Sequence, residues 1–212
     1  MKLHHPIRAL LAALALSCTG ANAAVVATNT SYGAFDVSNG LRFLDVTRHG
    51  TINDLNLTID FAKCDDPLIG PTGTACVGTG SSFSSEITFR LVAPDGTTVD
   101  LVTNSYSGST PGIGRTSVTY DDEAATAVGG AVAPGSFRPV GLLSTFDGMD
   151  MFGTWSLFIQ DSNFDDPLEY FSSSLDIGFA PAAVPEPAPL AMLGLGLLGL
   201  GAARRRKGPA LS

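Results

Sequence analysis

The residues best suited to chemistry are acids in short runs. Asp161-x-Asn163-x-Asp165, followed at once by Asp166, sets oxygen ligands at alternate positions of a loop, as calcium loops do. The run has neither the glycine at position six nor the glutamate at position twelve of an EF-hand. Asp121-Asp122-Glu123 forms a second acidic cluster and Asp65-Asp66 a third. Adjacent carboxylates repel each other and are relieved either by a divalent cation or by exposure to water. Both readings stand at this level, calcium at Asp161, Asn163, Asp165 and Asp166 or solvated turn acids. Cys64 and Cys76 are the other reactive pair. Once a leader carrying Cys18 is removed they are the two cysteines left, and in an oxidising compartment they are expected to pair. A bridge here closes a short loop rich in proline and glycine, which the chain-entropy account values at about 3 kcal/mol.

Catalytic constellations are harder to find. A hydrolytic triad needs a nucleophile, a base and a group that orients the base. Beyond the leader His49 is the one histidine, in an Arg48-His49-Gly50 turn expected to be exposed. The chain holds no G-x-S-x-G, no H-E-x-x-H and no Walker-type glycine loop. The expectation is a noncatalytic protein.

Charge sharpens this. The formal net charge is −8, but between Ala24 and Ala183 there are 19 acids and six bases, a net of −13. Such a surface repels phosphate backbones and argues against nucleic acid as a partner.

Both ends read as addresses. Lys2 and Arg8, the apolar run Ala9 to Leu16 and the small residues of Ala21-Asn22-Ala23 give residues 1–23 the form of a secretory signal peptide. At the other end Val184-Pro185-Glu186-Pro187-Ala188-Pro189 is stiff and extended, because proline fixes its own φ and restricts its predecessor. Leu190 to Ala203 follow without a charge, then Arg204-Arg205-Arg206-Lys207. As a helix this stretch would be roughly 21 Å long, short of the ~30 Å hydrocarbon core, so it reads as a marginal transmembrane helix. The basic tail, residues 204–212, stays cytoplasmic and leaves the body outside. The order of Pro185-Glu186-Pro187, apolar helix and Arg204-Arg205-Arg206 resembles the PEP-CTERM sorting signal of Gram-negative bacteria. That resemblance implies an exosortase-type processing enzyme as a partner and a destination at the cell surface or in an exopolysaccharide matrix.

The elements that must position the body's residues have a period of two. Leu55, Leu57, Ile59 and Phe61 alternate with polar residues, as do Ile87, Phe89 and Leu91, Trp155, Leu157 and Ile159, and Leu175, Ile177 and Phe179. One face of each run suits a core and the other water, the pattern of antiparallel sheets. Pro94-Asp95-Gly96 makes Ile87 to Val102 a hairpin candidate. Residues 24–182 are therefore expected to form one all-β domain of eight or so strands, joined by residues 183–189 to the helix at 190–203. Phe61 should lead into a long loop, Ala62 to Ser85. Trp155 should point inward, and Tyr106, Tyr120 or Tyr170, where exposed, could stack on sugars, with nothing in the spacing to single one out.

Several of these segments, in order, resemble the P domain (homo B domain) that follows the catalytic domain of subtilisin-like proprotein convertases. They are Gly50 to Ile59, Ile87 to Thr97, Asp121 to Ala124, Phe137-Arg138-Pro139, Phe146-Asp147-Gly148, Gly153 to Asp161 and residues 174–179. The resemblance implies a jelly-roll-like antiparallel β-sandwich of the galactose-binding-like kind. The match departs at Ser85-Glu86-Ile87, where members of that family carry Gly-Asp-Leu, and at Asn163 to Pro167, which replaces a Gly-Asp-x-Gly turn. The expected function is an exported, noncatalytic surface or matrix protein whose sandwich binds glycan or protein. The alternative is an accessory P domain serving a separately encoded subtilisin-like serine endopeptidase.

Overall fold

The computed structural model describes residues 23–78, 80–107 and 109–180, together with Leu197. The signal peptide (apart from Ala23), the Pro185-Glu186-Pro187 segment, the apolar stretch at 190–203 (apart from Leu197) and the basic tail lie outside the described residues. No helix among the described residues is long and apolar enough to cross a membrane.

Residues 23–180 are built from strands. In chain order these are β1 (Ala23–Asn29), β2 (Gly33–Phe35), β3 (Ser38–Val46), β4 (Thr51–Lys63), β5 (Ser81–Phe83) and β6 (Ile87–Val92). They continue as β7 (Thr98–Thr103), β8 (Ser109–Pro111), β9 (Ile113–Tyr120), β10 (Gly135–Phe137), β11 (Gly153–Asp161) and β12 (Leu168–Ala180). Two short 3₁₀ turns, Ser84–Glu86 and Leu143–Phe146, complete the set.

One sheet runs β1-β12-β4-β9-β10, with β2 also paired to β12, a second runs β3-β11-β6-β7, and β5 and β8 form a separate two-stranded ribbon. Pairing is antiparallel except between β9 and β10. The two larger sheets share one core in which Leu57, Ile59 and Phe61 of β4 are sealed together with Leu157 and Ile159 of β11. Phe61 meets Phe89 edge-on across the layers at 5.1 Å between ring centres, and Phe146 meets Trp155 the same way at 5.0 Å. Trp155 is fully buried, as its strand phase predicts, and its indole N–H donates to the Met151 carbonyl at 3.0 Å.

The expected hairpin is present. β6 pairs with β7 from Val92↔Thr98 inward, and Gly96 takes φ +92° in the turn, a conformation that favours glycine. Other expectations need correction. Among the described residues there are twelve strands rather than about eight, because short edge pieces and β1 lack the long alternation that marks a strand in sequence. The loop expected at Ala62 to Ser85 is shorter, since β4 continues to Lys63 and β5 occupies Ser81–Phe83. Within it Cys64 and Cys76 form the disulfide.

Candidate functional site

Three places gather polar or reactive side chains. The first is the acidic loop after β11, where a lysine ammonium stands in the place suggested for calcium. Lys63 closes β4 on the same inward phase as Leu55, Leu57, Ile59 and Phe61, and it is fully buried. Its Nζ donates to Asp161 Oδ2 at 2.9 Å and to the Asp166 carbonyl at 2.5 Å. Glu86 Oε2 and Asp166 Oδ2 each lie 3.0 Å away. Asn163 turns its amide onto Glu86 Oε1 at 3.0 Å. Asp165 stands apart, at φ +87°, on a cleft it shares with Asp36 and Asp66. The four residues proposed for calcium therefore do not converge on one point. No group of three or more His, Cys, Asp or Glu side chains is arranged to hold a metal among the described residues. Burial opposes the Lys63 charge, but Asp161, Glu86 and Asp166 outweigh it and hold the ammonium's pKa above the usual lysine value. Burial likewise pushes the Asp161 carboxyl up, against the pull of Lys63.

The second place is the Asp121-Asp122-Glu123 cluster, which folds as a capping device. Asp122 accepts from the backbone N–H groups of Leu143 and Ser144 at 3.0 and 2.8 Å, and Asp121 from that of Glu123 at 2.7 Å. With Asn53, Asp54 and Asp147, Asp122 and Glu123 line a small depression. Burial, followed by the charges of Asp54 and Asp122, raises the Asp147 carboxyl.

The third is a surface cleft of about 410 Å³ lined by Pro94, Asp95, Met149, Asp150 and Phe152. It joins the β6–β7 turn to the segment that enters β11. Gly153 makes this approach feasible, since at φ +128° a Cβ there would meet Pro94 at 2.7 Å. Phe152 is 47% exposed, and the His49 ring stacks on it at 4.2 Å. His49 Nδ1 lies 2.7 Å from Asp150 Oδ2, which keeps the Asp150 carboxyl below its ordinary range. The pair is exposed, as the turn predicts. No hydroxyl or thiol nucleophile is hydrogen-bonded to His49 among the described residues.

The sugar platforms suggested at Tyr106, Tyr120 or Tyr170 are absent, because all three rings are buried. The Tyr106 and Tyr120 hydroxyls bond to each other at 2.9 Å, and Tyr170 bonds to Ser173 at 2.8 Å. Strand phase carries the correction for Tyr120, which is two residues beyond the buried Val118. Among the described residues the exposed phenylalanine rings are instead Phe43, Phe83, Phe152 and Phe164.

Against known families, residues 183–207 match the model of the PEP-CTERM protein-sorting motif. No curated protein matches the chain. The motif indicates an exported protein that an exosortase recognises and processes and that is sorted to the cell surface.

Proposed function

We propose that the chain is a noncatalytic component of the cell surface or its matrix, and that its sandwich holds glycan in the cleft lined by Asp95, Asp150 and Phe152 once exosortase processing has delivered it. The observation that carries the reading is the sorting motif at residues 183–207. The cleft supports it chemically. Phe152 offers an apolar face for a pyranose ring, and Asp95 and Asp150 offer acceptors for its hydroxyl groups. With a net charge of −13 over residues 24–183, the body selects a neutral or amino-bearing polymer over an anionic one. The ordered sequence motifs support a jelly-roll, P-domain-like identity for the sandwich.

The test has two arms. Removing residues 183–207 should abolish C-terminal processing and surface delivery, read by intact mass and cell fractionation. Affinity electrophoresis in gels containing the producer's exopolysaccharide should show retardation of the sandwich, lost in Phe152→Ala and weakened in Asp150→Asn. Unchanged mobility in every polysaccharide gel, together with copurification of a protease, would replace this reading with the accessory-domain one.

A further inference from the structure

The corner around Lys63 has no part in the proposed glycan cleft, yet it holds an unusual concentration of reactive groups. One ammonium is enclosed with three carboxylates, and Lys63 and Asp161 are both fully buried. A fully ionised set would carry two uncompensated negative charges in a dry site, which burial opposes and which favours proton uptake by one of the acids. Asp161, sealed from water, suits that role best.

The placement is what joins these groups into a reaction. Lys63 ends β4 in one sheet, and Asp161 ends β11 in the other. Glu86 is delivered beside them because Asp161 pairs with Ile87 across the β6–β11 ladder. Asp161 Oδ2 is 2.9 Å from the amine and also accepts from the Leu168 N–H at 3.0 Å, while Oδ1 accepts from the Asn163 N–H at 3.3 Å. These backbone donors are fixed where charge would build up on the carboxyl oxygens during attack at Cγ. Glu86 Oε1 is held by Asn163, while Oε2 is ion-paired to Nζ at 3.0 Å. That sets a buried carboxylate oxygen directly against an amine that must lose a proton before it can attack.

We propose that Lys63 Nζ and Asp161 Cγ become joined in an intramolecular isopeptide bond, with Glu86 as the proton acceptor. The step starts from the Lys63 ammonium, the Asp161 carboxylic acid and the Glu86 carboxylate. Glu86 takes one proton from Nζ. The freed lone pair forms the N–C bond at Cγ, and the Asp161 hydroxyl leaves as water with a second proton from Nζ. One hydrogen remains on the amide nitrogen, and Glu86 ends as the neutral acid beside the new bond. Net charge is unchanged, while the charged groups in the corner fall from Lys63, Glu86 and Asp166 to Asp166 alone. Enclosure supplies the proximity that amide formation lacks in open water. The product fastens one sheet to the other by a link that reduction of the Cys64–Cys76 disulfide leaves intact.

Peptide mapping tests this wherever the ends of the chain are processed. The purified full-length protein is reduced, denatured and digested with trypsin. The expected result is a single cross-linked species carrying Lys63 and Asp161, lighter than its two peptides by one water and uncut after Lys63. Two separate peptides of unmodified mass, with cleavage after Lys63, overturn the proposal, as does a link from Lys63 to Asp166 or Glu86. Glu86→Gln is expected to fold, by circular dichroism, with the cross-link lost or slowed at least tenfold. Full linkage in that folded variant removes Glu86 from the step. Should the variant not fold, the map of the unaltered chain still decides.

Discussion

Lys63 shows how a single side chain takes its meaning from distant ones. Its partners Asp161 and Asp166 lie 98 and 103 residues away, and each contact is made inside the molecule. Removing the cation would leave buried carboxylates facing one another. Lys63→Met is therefore expected to lose about 3–5 kcal/mol of stability, read as the midpoint of urea unfolding. A change within experimental error would show that the acids redistribute protons at little cost. The sequence did carry a signal for this residue. Lys63 extends the inward phase of Leu57, Ile59 and Phe61, and Asp161 extends that of Trp155, Leu157 and Ile159. Composition argues for an exposed lysine and a solvated aspartate, whereas strand phase argues for burial, and phase prevailed. Phase prevailed because an extended strand in a packed sheet cannot turn one residue to the other face without a bulge.

At the scale of elements, the irregular connections are fastened by few contacts, and each can be cut separately. Asp122 serves the 3₁₀ turn Leu143–Phe146 from a distance, satisfying two backbone donors that would otherwise be orphaned. Asp122→Ala should cost about 1 kcal/mol, in the range of a lost helix cap, and should raise amide hydrogen exchange at Leu143 and Ser144 before it does so in β11. The disulfide fastens the loop between β4 and β5. Replacing both Cys64 and Cys76 by serine is expected to lower stability by about 3 kcal/mol while the hairpin of β6 and β7 persists, which thermal unfolding followed by circular dichroism would report. The hairpin was legible in advance because its turn and register are set by neighbours in sequence. The burial of Tyr106 was not legible, because it lies between β7 and β8, where no alternation indicates a face.

The whole molecule puts all four of its tyrosines in environments that resist ionisation. Burial, reinforced by Glu169, pushes Tyr32 up to about 12, and burial pushes Tyr106 up to about 12. Each of these phenols has a folded pKa above its unfolded value near 10. The stability they contribute is complete below that value and declines as pH rises toward 12. Before any link to Asp161 forms, the Lys63 ammonium acts in the same sense, since its folded pKa is also raised and its contribution fades on the alkaline side. Phenolate absorbance should therefore stay low until the fold opens, and then rise cooperatively with loss of the β-sheet circular dichroism signal. A gradual titration centred near pH 10 while the sheets remain intact would contradict this.

Sequence alone determined the class of fold, the hairpin, the inward tryptophan, the cysteines available to pair and the tripartite end that carries the sorting motif. Each is a local property, a period of two, a turn dipeptide or an ordered motif, and local properties survive without knowledge of the partner strand. Tertiary structure alone decided which acids meet a lysine, which aromatic rings face water and which loops form a cleft. Those outcomes depend on the stacking of two sheets, which brings together residues about a hundred positions apart, and no window along the chain contains both members of such a pair.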